Sequence, residues 1–508
     1  MVILDYLKGA RNKWPDKTAF IEDAKFSSKT LTFNELFISS LALGRYLKEQ
    51  GIKKGMYVNL MIPMSIDLYK TLIALWSIGA IPVFFDYSAD EEYKNKCLEI
   101  IKPQATIFNS EIIKLVKKNQ GIKDAKIINI KNCKYDFAPE IYETKIENQG
   151  AIVTFTSGST GIPKAIVRSH QFLIDQYDVI KRTLHYNSNQ IDLGILPIFT
   201  LANIATGITT VIPNTSLINM GKLNAKNITK QIETHKINSM TVSPSVLAQI
   251  VNYAKENKKD LSSLKTIHVG GGPVYINPLK NIDYIKNAKL YVVYGSSEAE
   301  PISILPWEDM LLSKENIKKG LGLPVGTIIP DIDLKIIEND NIFPDKITTN
   351  NIEEHIAKVG EIVVAGKNVL SGYYNGVGDE ENKIHANNKI WHRTGDCGFI
   401  DKNNCLWLVG RKKNYAKKEN GDIFYPFQIQ CILSTKYKIE KSAFIGEDNG
   451  NTLVFELSDK EKTNQIKQEF YKEYHFTNIH FVKEIPMDKR HNSKVDIAKL
   501  KELIANIN

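Results

Sequence analysis

A segment rich in glycine and hydroxyl residues, ending in a lysine, is the first part of the chain with a clear capacity for chemistry. It begins at the end of the strand-like run 151–156 and ends at Lys164. Glycines let backbone N–H groups approach a polyphosphate, hydroxyl groups add donors, and a lysine supplies positive charge. Pro163 stands where a Walker A loop needs glycine, which disfavours a P-loop NTPase. The candidate phosphate-binding residues here are Thr156, Ser157, Gly158, Ser159, Thr160, Gly161 and Lys164.

Five further segments carry aromatic, hydroxyl, acidic or basic residues, and the first four of them also contain glycine. They are His268–Pro273, Tyr294–Glu298, Trp391–Gly398, Gly410–Lys413 and Ile485–Asp496. Each segment by itself is compatible with an ordinary turn or a solvated surface. Their order along the chain carries more information than any one of them.

In that order, and from about residue 31 to residue 500, these segments resemble the motifs of the adenylate-forming superfamily. This superfamily comprises acyl-CoA synthetases, nonribosomal adenylation domains and luciferases. The resemblance implies that Tyr294 stacks on adenine, that Asp396 accepts from both ribose hydroxyls, and that Glu298 binds Mg²⁺. It also implies nucleotide contacts for Gly271, Gly272, Gly295, Ser296, Ser297 and Arg411.

The resemblance implies a mobile C-terminal part. Lys494 would bridge the substrate carboxylate and the α-phosphate, and Lys413 falls at the family's hinge position. Segment 421–426 departs from the family's usual Arg-Ile-Glu-Pro-like string, which weakens the expectation of thioester formation. The residues before Lys494 are similar to those of olefin-pathway β-lactone synthetases and some fatty acyl-AMP ligases.

The substrate is expected to be a fatty, hydroxy-fatty or aryl acid. Thr200 stands where amino-acid-activating members usually place an aspartate, and an unpaired buried ammonium group would be costly. An α-amino acid is therefore the less favoured substrate. The resemblance implies an acyl pocket lined by Phe199, Thr200, Asn203, Ser243, Gly270 and Ala299.

The expected reaction is activation of the acid by ATP and Mg²⁺, with release of pyrophosphate, followed by transfer of the acyl group. Three acceptors stay open: CoA, the phosphopantetheine of a carrier protein, or an internal hydroxyl that closes a β-lactone. CoA is the default on family frequency. The alternatives are an amino-acid-activating adenylation enzyme, a β-lactone synthetase, a kinase and, more remotely, a non-catalytic nucleotide-binding homologue. Retention of Lys164, Glu298, Asp396 and Lys494 together argues against the last of these.

Alternating apolar runs and amphipathic segments predict an α/β fold. Strands without polar alternation indicate parallel sheets buried on both faces, in doubly wound βαβαβ layers. Shorter strands with turn residues beyond residue 321 predict a β-rich subdomain. The predicted division places an adenylate-forming core at residues 1–409 and a small α+β lid domain at residues 410–508.

Composition narrows the setting without naming the function. The chain has 508 residues, so two or more domains are expected. Its formal net charge of +9 suits anionic ligands, but this charge is spread along the chain and indicates no particular ligand. The densest basic cluster, residues 411–418, contains a single aromatic residue, Tyr415, and not the series of aromatics that a single-strand binding platform needs, which disfavours nucleic-acid binding. The five cysteines form no CxxC pair, and we expect a cytoplasmic protein. The apolar stretches 71–85 and 193–221 contain glycine and proline, so no membrane span is expected.

Overall fold

The structure is a computed structural model that describes most of the chain. The described residues are 2–24, 27–85, 89, 91–109, 125–131, 150–157, 163–215, 223–338, 356–417, 423–439, 441–447, 450–456, 460–474, 476, 478–487 and 495–506. The chain forms two compact units. The first comprises residues 1–241, 259–265 and 370–380, and the second comprises residues 242–258, 266–369 and 381–508.

The described helices and strands are numbered here in chain order. The helices are α1 (Ile3–Lys13), α2 (Phe33–Glu49), α3 (Ile66–Ser77), α4 (Glu91–Ile101), α5 (His170–Thr183), α6 (Pro197–Thr206), α7 (Ala225–His235), α8 (Pro244–Glu256), α9 (Trp307–Leu312), α10 (Lys314–Lys318), α11 (Asp379–Asn382), α12 (Pro426–Lys436), α13 (Lys460–Tyr474) and α14 (Ile497–Ala505). The strands are β1 (Thr18–Asp23), β2 (Ser28–Thr32), β3 (Tyr57–Met61), β4 (Ile81–Val83), β5 (Ala105–Phe108), β6 (Lys126–Asn129), β7 (Gly150–Ser157), β8 (Pro163–Ser169), β9 (Ile191–Leu193), β10 (Thr209–Ile212), β11 (Ser239–Val242), β12 (Thr266–Val269), β13 (Lys289–Ser296), β14 (Ala299–Pro306), β15 (Leu323–Ile328), β16 (Ile332–Ile337), β17 (Gly360–Gly366), β18 (Lys383–Ala386), β19 (Lys389–Ile400), β20 (Cys405–Arg411), β21 (Ala416–Lys417), β22 (Ile423–Phe424), β23 (Ser442–Glu447), β24 (Gly450–Glu456) and β25 (Asn478–Val482).

The first unit contains two largely parallel sheets. One has the strand order β6-β5-β3-β4-β7-β8, in which only β8 is antiparallel to its neighbour, and the other has the order β11-β9-β10-β1-β2. Strands β5 and β10 are buried at every residue. This burial on both faces explains their unbroken apolar and β-branched sequences.

Helix ends in the first unit follow their capping residues. Helix α2 begins at a capping box, in which Glu35 N donates to Thr32 Oγ1 at 3.1 Å and Thr32 N donates to Glu35 Oε2 at 2.8 Å. Helix α6 begins with Pro197 and ends at Gly207, which has a φ of 78° that glycine adopts without strain. Helix α6 carries three of the predicted acyl-pocket residues.

The second unit contains a mainly antiparallel sheet with the order β16-β17-β19-β20-β15-β14-β13-β12, and β18 pairs with β19. Strands β12 and β13 are parallel, and the remaining pairs are antiparallel. The change from parallel to antiparallel pairing agrees with the β-rich texture that the sequence shows beyond residue 321.

The C-terminal part of the second unit has a small sheet and hydrophobic cores. The sheet order is β23-β24-β25. One core contains aromatic and aliphatic side chains of α12, α13 and this sheet, including Ile429, Phe444, Phe455 and Phe470. The predicted domain division at residues 409 and 410 stays a prediction. Among the described helices, none combines the length and apolar character that crossing a membrane requires.

Candidate active site

The centre of the candidate site in the second unit is an ion pair between neighbouring strands. Asp396 of β19 and Arg411 of β20 are direct cross-strand partners, and Arg411 Nε lies 3.0 Å from Asp396 Oδ1. Arg411 Nη1 also donates to the backbone oxygen of Thr394 at 3.2 Å. Asp396 is buried, whereas 54% of the Arg411 side chain is exposed. The carboxylate is therefore held in place by a cation that a ligand can reach.

A tyrosine holds the second oxygen of the same carboxylate. Tyr294 Oη donates to Asp396 Oδ2 at 2.9 Å. Burial, together with the charge of Asp396, raises the pKa of Tyr294, so this tyrosine remains a donor at neutral pH. A carboxylate offers about four lone-pair sites, which leaves acceptor capacity for further donors. The pair therefore joins the predicted adenine-stacking residue to the predicted ribose-binding residue.

Glu298 lies in the turn of a β-hairpin. Strand β13 ends at Ser296, strand β14 begins at Ala299, and residues 297 and 298 form the turn between them. Glu298 is 9% exposed, and its backbone N–H donates to Ser296 Oγ at 3.3 Å. A Cβ on Gly295 would lie 2.9 Å from the backbone oxygen of Ala299, so the hairpin requires glycine there.

A single carboxylate such as that of Glu298 is compatible with a magnesium ion that is shared with substrate phosphates. Within the described part of the chain, no group of three or more His, Cys, Asp or Glu residues could hold a metal on its own. Mg²⁺ is usually bound by one or two carboxylates plus substrate phosphates and water, so a single acidic residue fits this mode. The charge of Asp396, with smaller contributions from Tyr294 and Glu298, raises the pKa of Arg411. The negative side chains of Asp396 and Glu298 therefore lie close enough to the positive side chain of Arg411 to affect its charge state.

A glycine turn follows β12. A Cβ on Gly270 would lie 2.6 Å from the backbone oxygen of Val293, so the close approach of two strands requires glycine. Gly271 has a φ of +78°, and nothing lies within 4 Å of where its Cβ would be. Ser243 caps the N-terminus of α8, where its Oγ accepts from Val246 N at 3.4 Å. Of the other predicted residues in this unit, Ala299 is fully buried, Gly272 and Ser297 are half-buried, and Lys413 is exposed.

In the first unit, the predicted phosphate-binding lysine lies on a strand. Lys164 of β8 faces Thr156 of β7 across an antiparallel pair, and it is 7% exposed. Its Nζ lies 5.4 Å from the centre of the Tyr373 ring, a cation–π distance. A Cβ on Gly378 would lie 2.9 Å from Lys164 Cε, so glycine makes room for the lysine stem.

The loop between these two strands lies outside the described residues. It contains four predicted phosphate-binding residues, namely Gly158, Ser159, Thr160 and Gly161. The backbone of Ser157 pairs with Pro163 at the base of the loop. The phosphate contacts of the four loop residues stay predictions.

Helix α6 covers a buried polar cluster in the first unit. Phe199, Thr200 and Asn203 of this helix are all buried. Asn203 Nδ2 donates to Asp192 Oδ2 at 2.8 Å, and Ser239 Oγ donates to Asp192 Oδ1 at 2.6 Å. Burial raises the pKa of Asp192 to about 6, although both hydrogen bonds oppose this rise. The amide of Asn203 is therefore engaged with the sheet, and its predicted contact with the acyl group stays a prediction.

The segment that carries Lys494 is described only at its base. Residues 488–494 lie outside the described part, and on either side of them Met487 and Val495 form an antiparallel bridge. Asp496 N donates to the backbone oxygen of Pro486 at 2.9 Å, which closes this base. Met487 and Val495 pack against buried residues of the C-terminal sheet and α14. The base of the segment is thus anchored, and the role of Lys494 stays a prediction.

Sequence reasoning missed three structural partners of these residues. Tyr373 contacts Lys164, and Asp192 accepts from Asn203. The buried Glu361 of β17 pairs with Arg393 of β19, the strand of Asp396, and with Lys412. Asp192 and Glu361 are acids inside otherwise apolar strands. That signal was present in the sequence, because an acid in a buried strand needs a partner.

Comparisons with known proteins agree on one family. The AMP-binding enzyme family matches residues 7–374. An olefin β-lactone synthetase of Stenotrophomonas maltophilia (strain K279a) is 23% identical over 506 residues, covering 93% of this chain and 90% of that protein. 4-Coumarate-CoA ligase 1 of Narcissus pseudonarcissus is 22% identical over 510 residues, covering 94% of this chain and 89% of that protein.

Solved structures have the same fold. The amide bond synthetase McbA of Marinactinospora thermotolerans aligns with a TM-score of 0.81 at 17% identity, covering 99% of both chains. The o-succinylbenzoate coenzyme A synthetase MenE of Bacillus subtilis, solved with ATP and a magnesium ion, aligns with a TM-score of 0.78 at 19% identity, covering 98% of this chain and 99% of that chain. These likenesses confirm the predicted α/β fold class.

Proposed function

Because the chain belongs to the AMP-binding enzyme family and is an AMP-forming ligase, we propose that it activates a carboxylic acid as an acyl-adenylate in a Mg²⁺-dependent reaction. The observation that carries this proposal is the Tyr294–Asp396–Arg411 cluster, with the buried Glu298 in the same unit. This cluster offers a ring for a base, a carboxylate for sugar hydroxyls and a cation for a phosphate.

We assign a separate task to each group. Asp396 binds the ribose hydroxyls, and Tyr294 presents its ring to adenine while its hydroxyl orients Asp396. Glu298 is the protein ligand of Mg²⁺, and the ion, when bound, neutralises phosphate charge as the acid attacks. Lys164 and Lys494 bind phosphate oxygens. These positively charged groups would stabilise the charge that develops on the α-phosphate.

The first step is a displacement at phosphorus. A carboxylate oxygen of the acid forms a bond to the α-phosphorus of ATP, and the bond from that phosphorus to the bridging oxygen breaks. Pyrophosphate leaves with the electron pair. In the second step a nucleophile attacks the acyl carbon, its proton is released, and AMP leaves with the oxygen that formed the new bond.

We propose a fatty, hydroxy-fatty or aryl acid as the substrate. Support comes from Thr200, which is fully buried on α6 and carries no charge to pair with an α-ammonium group. In the same unit Asp192 is a buried acid, but its two oxygens accept from Ser239 and Asn203. An amino acid would need another carboxylate, since an unpaired buried ammonium is costly.

For the acceptor we propose a thiol, either of CoA or of carrier-protein phosphopantetheine. The likeness to 4-coumarate-CoA ligase 1 supports CoA. The likeness to an olefin β-lactone synthetase supports a second candidate, in which a hydroxyl of the substrate closes a β-lactone.

A product screen tests these proposals. The purified chain would receive ATP, Mg²⁺ and fatty, 3-hydroxy-fatty, aryl or amino acids, with and without CoA, and pyrophosphate and acyl products would be measured. We expect acid-dependent pyrophosphate with a non-amino acid, and a thioester when CoA is present. A lactone that forms from a 3-hydroxy acid without CoA would select the second candidate. Activity only on amino acids would overturn the assignment from Thr200.

A further inference from the structure

A buried cluster of one acid and two cations lies beside the Asp396–Arg411 pair in the second unit. Arg393 Nε lies 2.9 Å from Glu361 Oε2, and Arg393 Nη2 also contacts this oxygen. Lys412 Nζ lies 3.4 Å from the same oxygen. The Glu361 side chain is 0% exposed, that of Arg393 is 10% exposed, and that of Lys412 is 14% exposed.

Stability alone is a poor account of this cluster. Removing three charged groups from water is costly, and buried ion pairs are often no more stabilising than hydrophobic side chains of similar size. In addition, Glu361 Oε1 is buried and has no hydrogen-bond partner among the described residues. The free-energy cost of burying this oxygen is therefore not offset by a hydrogen bond. The cluster is better explained by the residues whose positions it fixes.

The cluster is joined to the nucleotide-binding residues through short stretches of backbone. Lys412 directly follows Arg411, and Lys412 N donates to the backbone oxygen of Gly395 at 3.0 Å. Arg393 lies three residues before Asp396 on the same strand, β19. The ion pair between Lys412 and Glu361 therefore keeps the end of β20 paired with β19 at the Asp396–Arg411 position.

A second contact ties the same segment of β19 to β17. Thr394 Oγ1 donates to the backbone oxygen of Ile362 at 2.8 Å, and Asp396 N donates to Thr394 Oγ1 at 3.1 Å. Asp396 is thus positioned from β17 through Thr394, while Arg411 is positioned from β17 through Lys412 and Glu361. The residue after Lys412 is Lys413, the predicted hinge.

We propose that Glu361 and Lys412 are positioning residues for nucleotide binding, because their ion pair keeps Arg411 beside Asp396 and fixes the chain up to the residue before Lys413. The inference rests on the proposed function, since it takes Asp396 and Arg411 as nucleotide-binding groups. Because the ion pair with Glu361 fixes Lys412, Lys413 is the first residue after β20 that this cluster does not fix.

The test uses Lys412→Met, which removes the ammonium group and retains an apolar side chain of similar length. In this variant Glu361 still pairs with Arg393, so the core keeps one ion pair. Lys412→Arg restores the charge, and Lys402→Met, at an exposed lysine of the turn after β19, serves as the matched control. Three quantities would be measured for each full-length variant: the Kd for ATP by calorimetry, the KM and kcat for ATP in pyrophosphate exchange, and the melting temperature.

For Lys412→Met we expect the Kd and KM for ATP to rise about fivefold, which is a modest share of the effect of losing a charged hydrogen bond. The kcat should change less than about twofold, because the group does not contact the reacting atoms. Lys412→Arg should recover most of the affinity, and Lys402→Met should match the wild type.

Unchanged ATP affinity in Lys412→Met, or a loss that Lys412→Arg does not recover, would overturn the inference. A fall in kcat without a change in KM would also overturn it, as would a loss of affinity that only accompanies a large fall in melting temperature. Failure of the proposed function looks different. In that case the wild type would show no acid-dependent exchange, while the calorimetric comparison of ATP binding could still be made.

Discussion

Arg411 and Asp396 face each other across two antiparallel strands, with Arg411 Nε 3.0 Å from Asp396 Oδ1. The register of β19 and β20 sets this relationship, so the carboxylate is oriented by the sheet before any ligand binds. Tyr294 completes the arrangement from β13. Groups that are already in place bind a ligand with less loss of conformational entropy, which favours a nucleotide site here.

Asp396→Asn should weaken ATP binding. An amide retains one acceptor oxygen, and its NH₂ group faces donors such as Tyr294 Oη or Arg411 Nε without being able to accept from them. We expect the KM for ATP in pyrophosphate exchange to rise about tenfold or more. Asp309→Asn, at an exposed acid on α9, is the matched control. Equal KM values for Asp396→Asn and the control would refute the ribose-binding role.

Two substitutions of Tyr294 separate its ring from its hydroxyl. Tyr294→Phe removes only the donor to Asp396 Oδ2, and we expect the KM for ATP to rise about threefold to tenfold. Tyr294→Leu also removes the flat aromatic face, and a further increase of about tenfold is expected if this face stacks on adenine. The same pyrophosphate exchange measurement applies to both. Indistinguishable effects of Phe and Leu would argue against stacking.

Lys494→Ala should separate binding from chemistry. A positive charge that acts mainly as pyrophosphate leaves contributes to the transition state, so acyl-AMP formation should slow by about a hundredfold or more. The Kd for ATP should stay within about twofold. Quenched-flow detection of acyl-AMP gives the rate, and Lys483→Ala, at an exposed lysine after β25, is the control. Pyrophosphate release at a near-normal rate would refute the assigned role.

Asp192 should make the stability of the protein depend on pH. Its carboxyl group has a pKa of about 6 in the folded protein, against about 4 in an unfolded chain, so the folded state holds the proton more tightly. Stability from this group is therefore greatest below about pH 4 and falls as the pH rises to about 6. The group should contribute a loss on the order of 1–3 kcal/mol across that window.

Asp192→Asn provides the comparison for this effect. The new amide can donate to Asn203 Oδ1, a buried atom with no hydrogen-bond partner among the described residues. Melting temperatures of both proteins would be recorded between about pH 4 and pH 7.5, a range that covers the folded and unfolded pKa values. We expect the difference, wild type minus variant, to fall as the pH rises through this range. A difference that is constant or rises with pH would show that Asp192 is not the titrating group.

The sequence predicted the parts of the site whose chemistry lies in short consecutive strings. The runs around Lys164, Tyr294 and Asp396 each combine a strand end with glycines, and the structure places Tyr294 and Asp396 in hydrogen-bond contact. The predicted α/β class was also confirmed. Strands β5 and β10 are buried at every residue, and their apolar and β-branched sequences, without charged residues, reflect this burial.

Other features depend on register between distant strands, which a single sequence does not reveal. Glu361 contacts Lys412 only because β17, β19 and β20 are adjacent in the sheet. Tyr373 contacts Lys164 although the two residues are 209 positions apart in the sequence. The hairpin turn that holds Glu298 is likewise not visible in the sequence. Turn type depends on the pairing of β13 with β14, which is a tertiary property.

The fate of the carboxylate oxygen tests acyl-adenylate formation most directly. The acid with the fastest pyrophosphate exchange would be prepared with oxygen-18 in its carboxylate and turned over with ATP, Mg²⁺ and the acceptor that the product screen identifies. If the carboxylate attacks the α-phosphorus, AMP must carry one oxygen-18 atom after acyl transfer, and mass spectrometry will detect it. Unlabelled AMP, or label in inorganic phosphate together with ADP, would contradict the proposed reaction.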